Sequence, residues 1–192
     1  MSGFPISEIV SERLALGPVE ERDAAEVHAT WQDGLFVRWA PVGYPYAGAD
    51  LPTAIEWCTT GAAIRREDPG RAEFALRPRG ADRMAGLAGL FDTDWDNGIT
   101  EIHYWTAPWA RGKGYAAEGV RAMAEWALRE VGLERVLLRA AVGNAPSLRV
   151  AETAGFRAEG LLRSAAVLRD GGRTDHAVYG LIRADLGAAA YK

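Results

Sequence analysis

The sequence predicts a mixed α/β domain built on one sheet, and three features of the chain lead to this prediction. Its 192 residues suit a single domain, since domains usually hold roughly 100–200 residues. Hydrophobic residues make up 48% of the chain and charged residues 25%, as in an ordinary globular protein. Segments with the apolar period of a strand alternate with segments that have the period of a helix.

The first part of the chain predicts one strand and two helices. Residues 13–16 form the strand, and Pro18 opens a helix because proline is preorganised for the first helical position. The apolar face of this helix comprises Ala24, Val27, His28 and Trp31. An aromatic-rich loop at 35–49 follows, and Asp50 caps a second helix. The apolar stripe of that helix comprises Leu51, Ala54, Ile55, Cys58 and Ala62.

The rest of the sequence predicts three strands and a long helix, followed by a strand, a short helix and two closing strands. Its predicted strands are 71–77, 83–91, 99–106, 135–142, 156–168 and 173–183. A helix at 114–131 ends at Gly132, as a left-handed C-terminal residue ends helices, and a short helix covers 146–154. The predicted order is therefore βααβββαβαββ, with about seven strands.

Composition excludes several classes of function. The 22 basic and 26 acidic residues leave a net charge of −4, which lacks the basic field that nucleic-acid binding needs. No run approaches the roughly 18 apolar residues of a membrane helix, and no secretory signal is visible. With one cysteine, Cys58, an intrachain disulfide is excluded, and we expect a cytoplasmic protein. The metal-ligand spacings HExxH and paired CxxC are absent, so no metal is expected.

The most informative stretch is a glycine-containing loop between the predicted strand at 99–106 and the long helix. Gly112 and Gly114 let the backbone turn tightly, and the helix that follows presents unpaired N–H groups and a positive dipole. Such a loop can hold a phosphate, and Arg111 and Lys113 add cationic donors. A plain turn with a solvated basic pair is the alternative interpretation. The spacing fits neither the GxxxxGK[ST] nor the GxGxxG motif.

Residues 111–116, Arg-Gly-Lys-Gly-Tyr-Ala, resemble the phosphate-loop motif of the GNAT superfamily of acyl-CoA-dependent N-acetyltransferases. That motif is Arg or Gln, two residues, Gly, one residue, then Gly or Ala. Residues 101–108 and 144–156 resemble the RimJ/RimL-like branch. The resemblance extends from about 13 to 186, and it implies one GNAT domain over 1–192 with a mostly antiparallel sheet flanked by helices.

The resemblance also implies a cosubstrate, acetyl-CoA, and the residues that would hold it. The pyrophosphate would lie on the backbone amides of Arg111, Gly112, Lys113, Gly114, Tyr115 and Ala116. The pantetheine arm would pair with backbone groups of Tyr104, Trp105 and Thr106, as an added strand does, and Asn144 would contact it. Asn144 is also a good helix N-cap, so it could serve both purposes.

Three side chains are candidates for the chemistry of acetyl transfer. Ser147 falls in the first turn of the short helix, where its hydroxyl would lie near the sulfur; bonding to the local backbone is the alternative. Glu101 and His103 share one face of a strand with Trp105, and either could take a proton from the amine directly or through water. Both could instead be structural, with no dedicated base. His103 departs from the small residue that this branch often carries there.

The acceptor is expected to be a primary amine, either a protein N-terminus or a small molecule, that attacks the thioester in a ternary complex. In the RimJ/RimL-like branch the first interhelical loop lines the acceptor pocket, which implicates Arg38, Trp39 and Tyr44. Aromatic packing is the alternative for these residues. A rival function is a non-catalytic acyl-CoA-binding regulatory module, and a third is a nucleotide-phosphate enzyme. The sequence leaves a homodimer open.

Overall fold

A computed structural model describes residues 3–5, 8–42 and 44–187. They form one sheet of eight strands. The strands are β1 (Ile9–Val10), β2 (Leu14–Gly17), β3 (Ala72–Pro78), β4 (Gly86–Asp94), β5 (Ile99–Thr106), β6 (Arg135–Ala141), β7 (Arg157–Val167) and β8 (Arg173–Ile182). Their order across the sheet is β1-β2-β3-β4-β5-β6-β8-β7.

Within the described residues, six α-helices cover the two faces of the sheet. They are α1 (Ala24–Trp31), α2 (Gly34–Trp39), α3 (Leu51–Glu56), α4 (Ala62–Glu67), α5 (Tyr115–Trp126) and α6 (Ala145–Thr153). A π-helical turn, Trp57–Gly61, joins α3 to α4, and another, Ala127–Val131, extends α5.

The strand period places two different cores on the two faces. Even-numbered residues of β3, β4 and β5 pack against α5 and α6, with Ile102, Val120 and Met123 buried in that core. Odd-numbered residues of β3 and β4 face the other core, where α1, α3 and the π-turn after α3 contribute Trp31, Ala54 and Cys58. We call this second side the α1–α4 face.

Helix α5 packs directly on the sheet because Gly119 has no side chain. A Cβ at this position would lie 2.7 Å from Cδ1 of Leu76 on β3, closer than atoms approach without displacement. Gly119 therefore brings α5, and with it the loop before α5, close to the strands.

One junction in the sheet is open. Strands β5 and β6 run parallel and pair only at Ile99–Glu101 with Arg135–Leu137. Beyond that point β5 stays paired with β4 as far as Thr106, and β6 with β8 as far as Ala141. The free edges of β5 and β6 therefore diverge, and we call the gap between them the fork.

Most predicted elements are present, and the differences have local causes. Strand β1 adds an eighth strand, because two residues suffice to pair with β2. The predicted loop at 35–49 begins instead with α2, whose first turn is stabilised by the Asp33 carboxylate accepting from Phe36 N at 2.9 Å. The predicted stripe on the next helix is wrong at Leu51 and Ile55, which are 42% and 38% exposed.

Candidate functional site

The loop between β5 and α5 presents unpaired backbone donors beside the fork. Gly112 and Gly114 have φ values of +74° and +79°, a left-handed conformation that glycine adopts without strain. Gly114 is the N-cap of α5, and Glu118 N donates to Gly114 O at 3.1 Å. The N–H groups before Glu118 point out of the helix start. No atom lies within 4 Å of a Cβ built on Gly112, so space is open over the loop.

Side chains around the loop hold its shape. Arg13 donates to Lys113 O at 2.9 Å and forms an ion pair with Glu118 at 2.6 Å. Nζ of Lys113 lies 4.8 Å from the centre of the Trp109 ring, a cation–π distance. The backbone amides are therefore free for a ligand while these side chains fix the loop from outside.

Arg111 connects the loop to helix α2. Its guanidinium donates to both carboxylate oxygens of Asp33, at 2.6 and 3.1 Å. The hydrogen bond from Arg111 is the main reason that the pKa of Asp33 lies below its ordinary value. Arg111 thus anchors the loop through its side chain, while its backbone N–H stays free for a ligand.

Helix α6 begins beside the fork and carries Ser147 in its first turn. The Asn144 side chain accepts from Ser147 N at 3.3 Å, so Asn144 caps the helix. The Tyr104 hydroxyl lies 2.6 Å from Oγ of Ser147, and burial raises the pKa of Tyr104 to about 12. Tyr104 therefore stays protonated as a hydrogen-bond partner of Ser147. Sequence reasoning considered only its backbone, although its even-numbered position already placed the ring on the α5–α6 face.

Glu101 is occupied by an ion pair. Nε of Arg139, on β6, donates to Oε1 of Glu101 at 2.9 Å, and Nη2 donates to Oε2 at 2.5 Å. The pair joins Glu101, the last residue of β5 that pairs with β6, to Arg139, which lies just beyond the paired part of β6. This ion pair therefore connects the two strands where the fork begins.

His103 is the first residue on the α1–α4 face beyond that pairing. Nε2 of His103 lies 3.5 Å from Oε1 of Glu73 on β3, and it has no aligned hydrogen-bond partner among the described residues. Nε of Arg65, on α4, donates to Oε2 of Glu73 at 2.5 Å. Sequence reasoning missed Glu73 and Arg65; the available signal was a carboxylate between the apolar residues Ala72 and Phe74 of a predicted strand.

The environment of Glu73 strongly favours its charged form. The side chain is only 9% exposed, and burial by itself would raise its pKa. His103 and Arg65 outweigh that effect and lower the pKa of Glu73 to about 2. The imidazole of His103 is 37% exposed, so this group is reachable from outside while its carboxylate partner is not.

A cleft of about 210 Å³ opens beside α2. It is lined by Arg38, Trp39, Leu168, Arg169 and Asp170, which join α2 to the turn between β7 and β8. A Cβ built on Gly143, just before Asn144, would lie 3.1 Å from the Trp39 ring. The cleft therefore borders the turn that leads into α6.

Two of the three predicted acceptor residues, Arg38 and Trp39, line this cleft. The third, Tyr44, packs edge-on against Phe36 and Tyr46, with ring centres 5.7 and 5.5 Å away. Burial raises the pKa of Tyr44 to about 12. Tyr44 lies with the aromatic cluster under the α1–α4 face rather than among the residues that line the cleft.

Neither a metal-binding cluster nor a membrane-spanning helix is present in the described ranges. Residues 3–5, 8–42 and 44–187 contain no group of three His, Cys, Asp or Glu side chains placed to hold a metal ion. In the same part of the chain, no helix has the length and apolar character needed to cross a membrane.

Comparison with known proteins gives one consistent result. Residues 13–157 match the acetyltransferase (GNAT) domain family. An uncharacterised N-acetyltransferase of Bacillus subtilis (strain 168), YnaD, is 35% identical over 155 residues, which cover 81% of this chain and 85% of the relative.

Solved structures share the fold. Mycobacterium smegmatis RimJ in complex with CoA-disulfide superposes with a TM-score of 0.82 at 22% identity, covering 95% of this chain and 90% of that one. The microcin C7 self-immunity acetyltransferase MccE, in complex with acetyl-CoA and AMP, superposes with a TM-score of 0.76 at 18% identity, covering 94% and 96%. With the family match over most of its length, this chain belongs to the GNAT acetyltransferases and is an acetyltransferase enzyme.

Proposed function

We propose that this protein transfers the acetyl group of acetyl-CoA to a primary amine, either a protein N-terminus or a small-molecule amine. The observation that carries the proposal is the fork beside an open helix N-terminus. The unpaired edge of β5 ends at Thr106, and the donors of the 111–116 loop follow it after the short turn at 107–110. A ligand with a pyrophosphate and an extended amide-containing arm matches both features.

The residues of the fork fit acetyl-CoA. Backbone amides from Arg111 to Ala116 would hold the pyrophosphate at the positive end of α5. Tyr104, Trp105 and Thr106 already pair with β4 along one edge, so their other edge can pair with the pantetheine amides. Asn144 would contact the arm from the start of α6. RimJ and MccE, which share the fold, are seen with CoA-disulfide and acetyl-CoA, which supports the proposal.

On the acceptor side, we assign the proton-accepting role to His103. An alkylamine is mostly protonated at neutral pH, and an imidazole is the side chain best suited to exchange a proton in that pH range. His103 takes one proton from the ammonium group, and the neutral amine then forms a bond to the thioester carbonyl carbon. Glu101 is the less suitable base because Arg139 already binds both of its carboxylate oxygens.

Ser147 and Tyr104, on the opposite side of the fork, act on the leaving thiolate. As the carbon–sulfur bond breaks, Ser147 donates its hydroxyl hydrogen to the sulfur, and the N-terminus of α6 favours the negative charge. Tyr104, hydrogen-bonded to Oγ of Ser147 at 2.6 Å, stays protonated and holds the serine hydroxyl in place. The amide nitrogen then loses its second proton to water, and a proton from water restores the hydroxyl of Ser147. His103 releases the first proton to solvent, so the products are the acetylated amine, the thiol and one released proton.

The carbonyl oxygen gains negative charge in the transition state. A backbone N–H on the free edge of β5 would donate to it, and losing one such donor costs roughly 3 kcal/mol at comparable acyl-transfer sites. The acceptor would enter from the cleft between Arg38, Trp39 and the β7–β8 turn, which borders the start of α6. Holding the amine against the thioester in this way supplies much of the acceleration.

The test is to incubate the protein with acetyl-CoA and a panel of amines and peptides and to follow the free thiol. Release of thiol together with an acetylated product is expected for at least one acceptor. CoA binding by calorimetry without turnover on any acceptor would instead favour the regulatory module. Thermal stabilisation by ATP and none by CoA would favour a nucleotide-phosphate enzyme.

A further inference from the structure

Three strands bring a carboxylate and an imidazole together over a glycine. In the sheet register Glu73 on β3 lies opposite Gly89 on β4, and Gly89 lies opposite His103 on β5. All three face the α1–α4 side. A Cβ on Gly89 would overlap Nε2 of His103 and would lie 3.0 Å from Cγ of Glu73. The missing side chain is therefore what lets Glu73 and His103 approach.

The carboxylate of Glu73 is fixed from behind. Arg65 donates to it at 2.5 Å, and the same guanidinium lies 3.8 Å from the Trp57 ring centre and donates to Trp57 O at 3.2 Å. Arg71 approaches the other carboxylate oxygen at 3.4 Å. These partners hold the carboxylate in one orientation. In that orientation Oε1 of Glu73 faces Nε2 of His103.

We infer that Glu73 is a positioning residue for the acetyl-transfer reaction: it orients the imidazole of His103 with Nε2–H toward the carboxylate, so that Nδ1 is the atom that takes the proton from the amine. The inference rests on the proposed function. A carboxylate fixes the tautomer of a histidine by accepting from one ring nitrogen, which leaves the lone pair on the other. The role requires the ring to bring Nε2 within hydrogen-bond distance of Oε1, from which it lies 3.5 Å away in the structure.

The other charged groups near His103 do not compete for this role. Glu101 on the same strand is neutralised by Arg139 of β6, and His176 of β8 lies in the field of that pair. Strand β4 contributes Gly89 and the uncharged ring of Phe91, whose centre lies 5.5 Å from the imidazole. Arg65 and Arg71 reach Glu73 and not the ring. Among the described residues, Glu73 is thus the carboxylate that faces the imidazole of His103.

Two measurements test the inference. Long-range proton–nitrogen NMR on ¹⁵N-histidine-labelled protein, with signals assigned by a His103→Gln variant, gives the tautomer and titration midpoint of His103 without any substrate. We expect the neutral wild-type ring to carry its proton on Nε2. In Glu73→Gln the midpoint should fall, since the opposite charge that faces the ring is removed.

The second measurement is the pH dependence of kcat/KM for acetyl transfer. The acidic limb should move to lower pH in Glu73→Gln by the same amount, and kcat should fall at least about tenfold at neutral pH because the tautomer is no longer fixed. Gly89→Ala keeps the Glu73 carboxylate but displaces the ring, so it should lower kcat as well. This variant keeps the test available should Glu73→Gln fail to fold.

Glu125→Gln is the matched control. It removes another carboxylate bonded to an arginine, Arg121, at 2.5 Å, on α5 and away from the fork, and it should change neither measurement. An unchanged tautomer and midpoint of His103 in Glu73→Gln would overturn the inference. So would a shifted midpoint with an unmoved acidic limb. If the wild type releases no thiol with any amine, the proposed function fails, and the NMR result alone decides whether Glu73 orients His103.

Discussion

The guanidinium of Arg111 and the carboxylate of Asp33 form a two-pronged ion pair that joins the loop before α5 to the first turn of α2. Asp33 also caps α2 by accepting from Phe36 N. Helix α2 carries Arg38 and Trp39 into the cleft beside α6. One carboxylate therefore links the proposed cosubstrate loop with the proposed acceptor cleft.

Two substitutions separate the roles of Asp33. Asparagine caps a helix about as well as aspartate but cannot form the ion pair, whereas alanine does neither. We expect Asp33→Asn to weaken CoA binding severalfold, because the loop loses its anchor. Asp33→Ala should lower the free energy of unfolding by about 1 kcal/mol more than Asp33→Asn. Calorimetry and urea denaturation measure the two effects, and equal stability of the two variants would show that the cap contributes nothing.

Ser147 and Tyr104 should affect turnover and leave cosubstrate affinity unchanged. Ser147→Ala removes the donor to the leaving sulfur, and general-acid catalysis is typically worth about 10²–10⁴-fold. A fall in kcat near the lower end of that range is expected. Tyr104→Phe keeps the ring and removes only the bond to Ser147, so its effect should be smaller. Stopped-flow thiol detection with parallel CoA titration checks this, and an unaltered kcat in Ser147→Ala would remove its assigned role.

The two candidate bases should behave differently. Glu101 is bound by Arg139, so Glu101→Gln should leave the acidic limb of the kcat/KM profile where it is. His103→Gln should abolish that limb and lower kcat by about 10²-fold, a typical contribution of a general base. An intact limb in His103→Gln would point to deprotonation through water or by the substrate itself.

The loop prediction is tested by a pair of glycines. Gly114 and Gly132 have φ values of +79° and +91°, so alanine at either position costs roughly 1 kcal/mol of backbone strain. Gly132 ends the α5 segment away from the fork, and no atom lies within 4 Å of its Cβ position. Gly114→Ala should weaken CoA binding at least tenfold, and Gly132→Ala should not. Equal affinities would count against the loop as the pyrophosphate site.

Glu73 should make stability depend on pH in acid. Its pKa falls from 4.5 to about 2 on folding. A carboxyl whose folded pKa is lowered stabilises the native state above its unfolded pKa, and this contribution disappears as the pH falls through the folded pKa. The stability difference between the wild type and Glu73→Gln, up to about 3 kcal/mol, should therefore shrink between about pH 4.5 and pH 2. A difference that stays constant over this range in urea denaturation would contradict the assigned environment.

Much of the fold followed from local patterns. The strand at 99–106 appears with the predicted bounds, and the helices after the loop and after Asn144 begin within one residue of prediction. These elements have clear periods and end at glycine or cap residues. Strand β1 and helix α2 escaped prediction because two and six residues are too short to show a period, and both depend on partners elsewhere.

By itself, the sequence determined the class of fold, the order of its elements and the loop at 111–116, since periodicity and glycine spacing are readable along the chain. Only the tertiary structure decided which side chains meet. Tyr104 reaches Ser147 across 43 positions and Asp33 reaches Arg111 across 78, while Glu73 meets His103 over a bare glycine on the strand between them. Contacts of that kind depend on sheet register and helix packing, which come from the burial of both cores at once and leave no local signal.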